Sequence, residues 1–184
     1  MTELITPQTV LDFWFSERVR PLWFRSNPEF DQEIRERFET VWQAAHDGRL
    51  AGWEGSSDGA LALVIVLDQF PLNMYRDQGL SFSTEATARE VAHRAIEHGF
   101  DQQIDEAGKT FLYIPFMHSE NLSDQDRAVS LYEAASMTNN VRFANHHRDI
   151  VRRFGRFPHR NAALGRECTE EEREWLQSKE AFHG

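Results

Sequence analysis

The 184-residue chain is long enough to bury a substantial core as one domain. Its hydrophobic content of 40% and aromatic content of 12% exclude a disordered protein, while its lone cysteine, Cys168, excludes a disulfide framework and a cysteine-based zinc site. The formal net charge of -10 argues against general nucleic-acid binding, because a phosphate backbone attracts proteins rich in Lys and Arg.

The start of the chain and its longest apolar run bear on export and on membrane insertion. Met1 to Pro7 lack a positively charged stretch followed by an apolar one, so we expect no secretory signal. The longest apolar run, Ala60 to Leu67, is far shorter than the roughly 20 residues that span a bilayer. We therefore expect a cytoplasmic protein that does not bind membranes.

Capping signals predict two helices near the start of the chain. Thr6 followed by Pro7 predicts the start of a first helix, and Asn27 followed by Pro28 predicts the start of a second. Thr and Asn side chains can satisfy the free N–H groups of a first helical turn, where proline is also well tolerated. The second helix has a stripe of apolar residues at helical spacing and should stop before Gly48.

Three further segments are predicted in the middle of the chain. Asp58 to Gln69 is apolar on all sides, which is typical of a central helix, and we expect Pro71 to end it. A fourth helix runs from about Thr84 to His98. Lys109 to Met117 continues as a short apolar segment, with a break expected just before His118.

The C-terminal part also reads as helical. Ser123 with Asp126 resembles a capping box, Val141 to Phe154 forms the next helix, and Thr169 with Glu172 caps a last one. Alternating strand patterns bounded by hairpin turns are absent. We therefore predict an all-α fold in which the whole chain, residues 1–184, forms a single domain of about eight helices.

The stretch from Arg142 to Arg166 has the strongest charge asymmetry in the sequence. It contains seven arginines and one aspartate, an excess of six positive charges in a chain of net charge -10. The guanidinium group binds carboxylate or phosphate with two parallel hydrogen bonds and tolerates partial burial. The stretch therefore predicts either anion binding or internal ion pairing.

Two groups in this stretch are candidates for binding a ligand. Helical spacing puts His147 on the apolar face of its helix, with Phe143, Ile150, Val151 and Phe154, so we expect a buried or half-buried side chain. The following loop, in which Pro158 favours extended geometry at Phe157, can cup a small anion. The residues available to it are Arg153, Arg156, His159, Arg160 and Asn161.

Both groups also have a structural interpretation. His147 can be a core histidine that bonds another side chain, and Arg156 and Arg160 can tie the loop to acidic helices.

Two other clusters offer acid–base chemistry. Asp68 ends the most buried predicted helix, where a negative charge opposes the helix dipole, so we predict an arginine partner for it. His118 and Glu120 directly follow an apolar segment and can line one pocket from a loop. In an enzyme, Glu120 or Asp68 would act as general base and His118 or His159 as acid.

Known chemical signatures are mostly absent. His118-x-Glu120 is similar to the first half of a zinc deaminase signature, but no Pro-Cys-x-x-Cys follows. The sequence has no HExxH, P-loop, GxGxxG or GxSxG motif. A metal held by some combination of His118, Glu120, His147 and His159 is an alternative. Since no spaced ligand motif supports it, we expect no metal and no cofactor.

Several motifs together resemble one known family. They are Val10-Leu11-Asp12-Phe13-Trp14-Phe15, Trp23-Phe24, Leu67-Asp68-Gln69-Phe70-Pro71-Leu72-Asn73, Pro115-Phe116-Met117-His118-Ser119-Glu120, and Arg153-Phe154-Gly155-Arg156-Phe157-Pro158-His159-Arg160-Asn161 with Leu164-Gly165-Arg166. Over nearly its full length the chain resembles the bacterial family catalogued as domain of unknown function 924. The resemblance implies an all-helical fold akin to tetratricopeptide-like superhelices and implies no established activity. The sequence itself lacks the tetratricopeptide repeat pattern.

Three functional hypotheses remain open at this point. The first is a binding module whose Arg- and His-lined pocket holds an anionic small molecule or an acidic peptide. The second is an enzyme that acts on a small phosphorylated or carboxylated substrate with His and Glu acid–base residues. The third is a structural or interaction protein whose polar motifs form a buried network.

Overall fold

The structure is a computed structural model that describes residues 5–179 and residue 181. Within this part of the chain all regular structure is helical, which confirms the predicted all-α class. The α-helices are α1 (Pro7–Trp14), α2 (Pro28–His46), α3 (Ser57–Val64), α4 (Phe70–Met74), α5 (Glu85–Glu97), α6 (Glu106–Met117), α7 (Leu122–Ala134), α8 (Thr138–Phe154) and α9 (Glu170–Leu176). Part of the Met1 to Pro7 stretch lies outside the described residues.

None of the helices in the described ranges is both long and apolar enough to cross a bilayer. Short 3-10 turns link several of them, at Arg20–Leu22, Ala51–Gly55, Gly79–Phe82, Phe100–Gln103 and Pro158–Arg160. The chain divides into two compact units. The first unit comprises the residues up to Arg76 together with Leu80–Pro115, and the second comprises Asp77–Gly79 and the residues from Phe116 onwards. The prediction of a single domain stays a prediction.

Aromatic side chains fill the core of the first unit. Trp14 from α1 is fully buried, and its ring centroid lies 5.7 Å from that of Phe70 and 5.3 Å from that of Phe111. Phe38, from the apolar stripe of α2, lies 4.7 Å from Phe70. Buried aromatic rings contribute large apolar areas as well as favourable edge-to-face contacts. Phe24, in contrast, is 69% exposed.

Local capping signals produce the helix starts that the sequence predicts. Thr6 Oγ1 accepts a hydrogen bond from the N–H of Thr9 at 3.2 Å, and Asn27 Oδ1 accepts one from the N–H of Phe30 at 2.8 Å. Thr169 forms the predicted capping box at the start of α9. These contacts involve residues three positions apart, so short-range sequence is sufficient to specify them.

The prediction that Pro71 ends the third helix is wrong. The helix runs from Ser57 to Met74 through a π-helical turn at Ile65–Gln69. When α3 and α4 are counted as this one continuous helix, the described residues contain eight helices. Proline lacks the N–H that would bond the carbonyl of Leu67. The hydroxyl of Thr84 donates to that carbonyl instead, at 2.5 Å, so the helix continues without an unsatisfied acceptor.

The start of the same helix requires a glycine. A Cβ atom on Gly59 would overlap the backbone carbonyl oxygen of Trp53. The side chain of Ser56 caps this turn by accepting from the N–H of Gly59 at 3.1 Å. The close approach of the two backbone segments therefore depends on the missing side chain at position 59.

Ser123 is not the cap of α7, contrary to the sequence prediction. The helix begins at Leu122, and Asn121 Oδ1 accepts from the N–H of Ser123 at 2.9 Å. Asn at this position competes effectively because its short side chain reaches the free N–H groups of the first turn. The break predicted before His118 is confirmed, since α6 ends at Met117.

In the second unit, α7 packs on α8 and α9 packs on the 3-10 turn Pro158–Arg160. A small apolar core contains Ile150, Val151, Phe157 and Trp175. His147 is buried on this face as predicted, but Phe143 is 61% exposed. Gly155 ends α8 with a φ of 71°, a conformation that glycine adopts without strain.

Candidate functional site

The ring of Phe157 is the centre of a polar cluster in the second unit. Phe157 has the extended backbone expected before Pro158 and is fully buried. Its ring centroid lies 5.7 Å from that of His147 and 5.6 Å from that of His159, and the guanidinium carbon of Arg160 lies 4.8 Å away. The structure thus brings three of the predicted ligand-binding residues together around one ring.

Two structural elements, α8 and the 3-10 turn Pro158–Arg160, hold these side chains in position. His147 comes from the apolar face of α8, where its Nδ1 donates to the carbonyl of Phe143 at 2.8 Å. Because Nδ1 holds the proton in this bond, Nε2 is the acceptor nitrogen in the neutral ring. His159 and Arg160 come from the 3-10 turn after Phe157, and only 6% of Arg160 is exposed.

Burial keeps the two inner histidines neutral. It lowers the pKa of His147 to about 3, and electrostatic repulsion from His118, His146 and Arg160 adds to the effect. Burial, followed by the charge of Arg160, also lowers the pKa of His159 to about 3. The electrostatic influence of His118 on both rings places it in the same group. We call His118, His147, His159 and Arg160 the histidine cluster.

Glu120 is tied to the backbone at the edge of this cluster. It accepts a hydrogen bond from the N–H of Phe157 at 2.8 Å and two from Arg166, at 2.7 and 2.9 Å. Burial alone would raise the pKa of Glu120, but the bonds from Arg166 and Phe157 outweigh it and lower the pKa below the ordinary value. Glu120 is therefore ionised and fully engaged at neutral pH.

Arg166 connects Glu120 to a second acidic residue. Its Nε donates to Asn161 Oδ1 at 2.9 Å, and Asn161 Nδ2 donates to Glu172 at 3.2 Å. Arg156 donates to both oxygens of Glu172, at 2.7 and 2.8 Å. We call these residues, Glu120, Arg156, Asn161, Arg166 and Glu172, the arginine–glutamate network. It fixes the loop after α8 to the start of α9.

Glu172 is the most deeply buried acid of this network, with only 2% exposed. Its hydrogen bonds from Arg156, together with one from the N–H of Thr169, lower its pKa to about 2. The sequence indicated Glu172 only as half of a capping box. Glu172 both caps α9 and pairs with Arg156, since the same carboxylate accepts from the N–H of Thr169 at 2.8 Å.

Two further predicted site residues, Arg153 and Asp68, have partners outside the arginine–glutamate network. Arg153 pairs with Glu171 at 2.8 Å on the surface, where both side chains are about half exposed. Asp68 belongs to the first unit, is fully buried and accepts from Gln69 Nε2 at 2.7 Å. Its predicted arginine partner stays a prediction. In the described residues, no group of three or more His, Cys, Asp or Glu is arranged to hold a metal ion.

Arg166 was not among the residues proposed for the site, although it belongs to the arginine-rich stretch. The signal that could have indicated it is charge balance, since the stretch holds one acid for seven arginines. The acidic partners of most of these arginines, including Arg166, must therefore come from other segments of the chain. The sequence does not show that this partner is Glu120, which lies 46 residues away.

Comparisons with known proteins agree with the resemblance seen in the motifs. The family model for "Bacterial protein of unknown function (DUF924)" matches residues 10–180. No curated protein matches the chain. A similar solved structure is that of a protein of unknown function, ATU0120, from Agrobacterium tumefaciens, with 39% identity, a TM-score of 0.88, and coverage of 93% of this chain and 96% of that one. The chain therefore belongs to the DUF924 family of bacterial proteins.

Proposed function

We propose that the second unit binds a small anionic molecule, a phosphate or a carboxylate, at the histidine cluster. The observation that carries the proposal is the arrangement of His147, His159 and Arg160 around the ring of Phe157. Arg160 supplies a permanent positive charge in a mostly buried setting, where charge-assisted hydrogen bonds are stronger than in water. A neutral His159 can add one N–H donor without the repulsion that a further cation would bring, while His147, whose N–H bonds the carbonyl of Phe143, packs against the same ring.

The arginine–glutamate network has a supporting role in this proposal. Arg156 and Arg166 are each engaged by a carboxylate through two hydrogen bonds, so their contribution is to hold the loop that carries His159 and Arg160. This arrangement favours the structural hypothesis for these two arginines. A binding site held on a fixed loop loses less conformational entropy when it takes its ligand.

An acid–base enzyme receives less support from the same geometry. A general acid must hold a proton at the working pH, and His159, with a pKa of about 3, is neutral there. The lowered pKa of Glu120 makes it a weak base.

The proposal is tested by ligand titration of the whole chain. Inorganic phosphate, citrate and a sugar phosphate are titrated while the ring nitrogens of 15N-labelled histidines are followed by NMR and the melting temperature is recorded. A ligand present at 100 times its Kd should stabilise the fold by about 2.7 kcal/mol. We expect shifts in the signals of His147 and His159 with at least one of these anions.

Matched substitutions assign the effect to the cluster. His159→Gln should weaken anion binding at least fivefold, whereas His98→Gln, at an exposed position in the first unit, should leave it unchanged. If none of the three anions shifts the histidine signals at millimolar concentration, or if both variants bind as the parent does, the proposal fails.

A further inference from the structure

Gln125 is a buried polar residue outside both the histidine cluster and the arginine–glutamate network. It comes from α7, in the second unit, and its side chain is fully buried. A buried amide is costly unless its donors and its acceptor all find partners. The partners of Gln125 therefore show which of its groups the fold satisfies.

The amide nitrogen of Gln125 is fully engaged. Nε2 donates to the carbonyl of Met117 at 2.7 Å and to the carbonyl of Ser119 at 2.6 Å. An amide NH2 group has two N–H bonds, so these two contacts use both donors. Because a carbonyl oxygen only accepts hydrogen bonds, the nitrogen must be the atom that faces these partners. The position of the amide oxygen, Oε1, follows from the same contacts.

The amide oxygen of Gln125 is an acceptor without a donor. Oε1 is buried, and no N–H or O–H group in the described part of the chain bonds to it. Asn161 is also fully buried in the second unit, but its oxygen accepts from Arg166 and its nitrogen donates to Glu172. Buried side-chain oxygens in folded proteins are rarely left without a donor. The oxygen of Gln125 is therefore suited to accepting a hydrogen bond from another molecule.

The two carbonyls place this amide against the histidine cluster. Met117 and Ser119 directly precede and follow His118, so the amide of Gln125 lies across the backbone of a residue of the cluster. α7 also packs on α8, whose buried face carries His147. Oε1 and Nε2 are bonded to the same carbon, so both lie close to this stretch of backbone. The acceptor therefore adjoins the proposed anion site at His118.

The charge of the cluster determines which kind of donor suits this acceptor. A protonated amine would bring a second positive charge near the buried guanidinium of Arg160, and the neutral amide of Gln125 offers it no negative charge in return. A hydroxyl group is neutral and donates one hydrogen bond. A hydroxyl group is therefore the donor that fits this position.

We propose that the anion bound by the histidine cluster carries a hydroxyl group near its acid group, and that this hydroxyl donates to Oε1 of Gln125. The inference rests on the proposed function, since the cluster must first bind the acid group. Nε2 keeps its two carbonyl bonds in the complex, so the backbone around His118 stays fixed. A site with a buried hydrogen-bonding group rejects an analogue that leaves this group unpaired. Gln125 therefore selects hydroxylated acids over their unsubstituted analogues.

Two pairs of anions that differ in their hydroxyl groups test the inference. Both enantiomers of lactate are compared with propionate, and glycerol 3-phosphate is compared with propyl phosphate, by NMR titration of the whole chain. We expect the hydroxylated member of at least one pair to bind at least tenfold more tightly than the unsubstituted member. The side-chain NH2 signals of Gln125 should shift with the hydroxylated member alone, because a bond accepted by Oε1 polarises the whole amide.

The amino acid alanine is the control for the kind of donor. It has the carbon skeleton of lactate, with an ammonium group in place of the hydroxyl group. We expect alanine to bind no more tightly than propionate, because its positive charge is repelled in the buried cluster. Alanine that binds as tightly as lactate would contradict the assignment of a neutral donor.

Substitution of Gln125 locates the selecting contact. Gln125→Met keeps a similar length and removes the acceptor, so the ratio of affinities within a pair should fall towards one. Loss of the two carbonyl bonds affects both members of a pair alike, so the ratio reports the acceptor alone. Gln177→Met makes the same change at an exposed position of the second unit and should leave the ratio unchanged.

The outcomes separate this inference from the proposed function. The inference is overturned if the hydroxyl group gives no gain in affinity in either pair. It is also overturned if Gln125→Met keeps the ratio of the parent, since a water molecule then satisfies Oε1. If this variant does not fold, the ratio and the NH2 signals of the parent decide. Anions that bind without any gain from a hydroxyl group leave the proposed function intact, whereas a chain that binds no anion contradicts both.

Discussion

Trp14 and Phe157 are both fully buried, yet their surroundings differ. Trp14 lies among other aromatic rings of the first unit, including Phe70 and Phe111. Phe157 packs in the apolar core of the second unit but also lies against two imidazoles and a guanidinium. The first ring is stabilised by apolar burial, which acts at any pH. The second is surrounded by groups whose favourable state depends on charge and protonation, so the two units should respond differently to mutation and to pH.

The aromatic core should give the largest single effect. Phe70→Ala removes a fully buried ring that lies 4.7 Å from Phe38, and it should lower the free energy of unfolding by about 3–5 kcal/mol. Urea denaturation followed by circular dichroism measures the change. Phe24→Ala, at a position that is 69% exposed, is the control and should stay within about 0.5 kcal/mol of the parent. Equal effects of the two variants would contradict the assigned core.

A substitution in the arginine–glutamate network should have the second-largest effect on the free energy of unfolding. Arg156→Ala leaves the buried carboxylate of Glu172 without its strongest partner, so we expect a clearly measurable loss in the free energy of unfolding. Arg153→Ala breaks a similar pair at the surface and should cost less than about 1 kcal/mol. The same urea experiment compares them. A similar cost for both would mean that the burial of Glu172 adds nothing.

The histidine cluster should make stability depend on pH. The pKa of His147 and of His159 is about 3 in the folded chain and near 6.5 ordinarily, so the unfolded chain binds more protons between these values. The free energy of unfolding is therefore unaffected by these histidines above pH 6.5. It falls as the pH is lowered towards 3, by up to about 1.4 kcal/mol per pH unit for each histidine.

Denaturant unfolding between pH 7 and pH 5 measures this slope, with His159→Gln as the comparison. The variant should show a shallower slope whatever its stability at pH 7. Glu172 acts in the same direction only below its ordinary pKa of 4.5, down to about 2, so it does not affect the upper range. An unchanged slope in the variant would mean that His159 is not held neutral.

Helix capping should give the smallest of these effects. Asn121→Ala removes the side chain that caps α7 and should cost about 1 kcal/mol. Ser123→Ala removes the residue that the sequence indicated as the cap and should cost less than about 0.5 kcal/mol. The order of the two variants in thermal melts decides which residue caps the helix.

The sequence specifies those parts of the fold that depend on neighbouring residues. Thr6, Asn27 and Thr169 satisfy the first turns of their own helices, so their function is visible in a few consecutive letters. Pro71 shows the limit of such local signals. Its local signal is to end a helix, but the hydroxyl of Thr84 donates to the carbonyl of Leu67, 17 residues away from it in the chain, and the helix continues.

The candidate site shows the same difference between local signals and long-range contacts. The charge count between Arg142 and Arg166 reveals a basic stretch, and the apolar face of α8 correctly predicts a buried His147. Neither pattern shows that Arg156 and Arg166 are occupied by Glu172 and Glu120, because these bonds join residues 16 and 46 positions apart. Composition gives the chemistry of a site, and only the fold assigns the partners.

The backbone contact at Gly59 sets how far the first unit tolerates sequence change. Any side chain at this position would push the start of α3 away from the backbone of Trp53. Gly52 and Gly55, a few residues earlier, have open space around them and accept a methyl group without a clash. Position 59 therefore fixes the spacing between α3 and the 3-10 turn before it, and a single added methyl group would change that spacing without altering any other chemical group of the two segments.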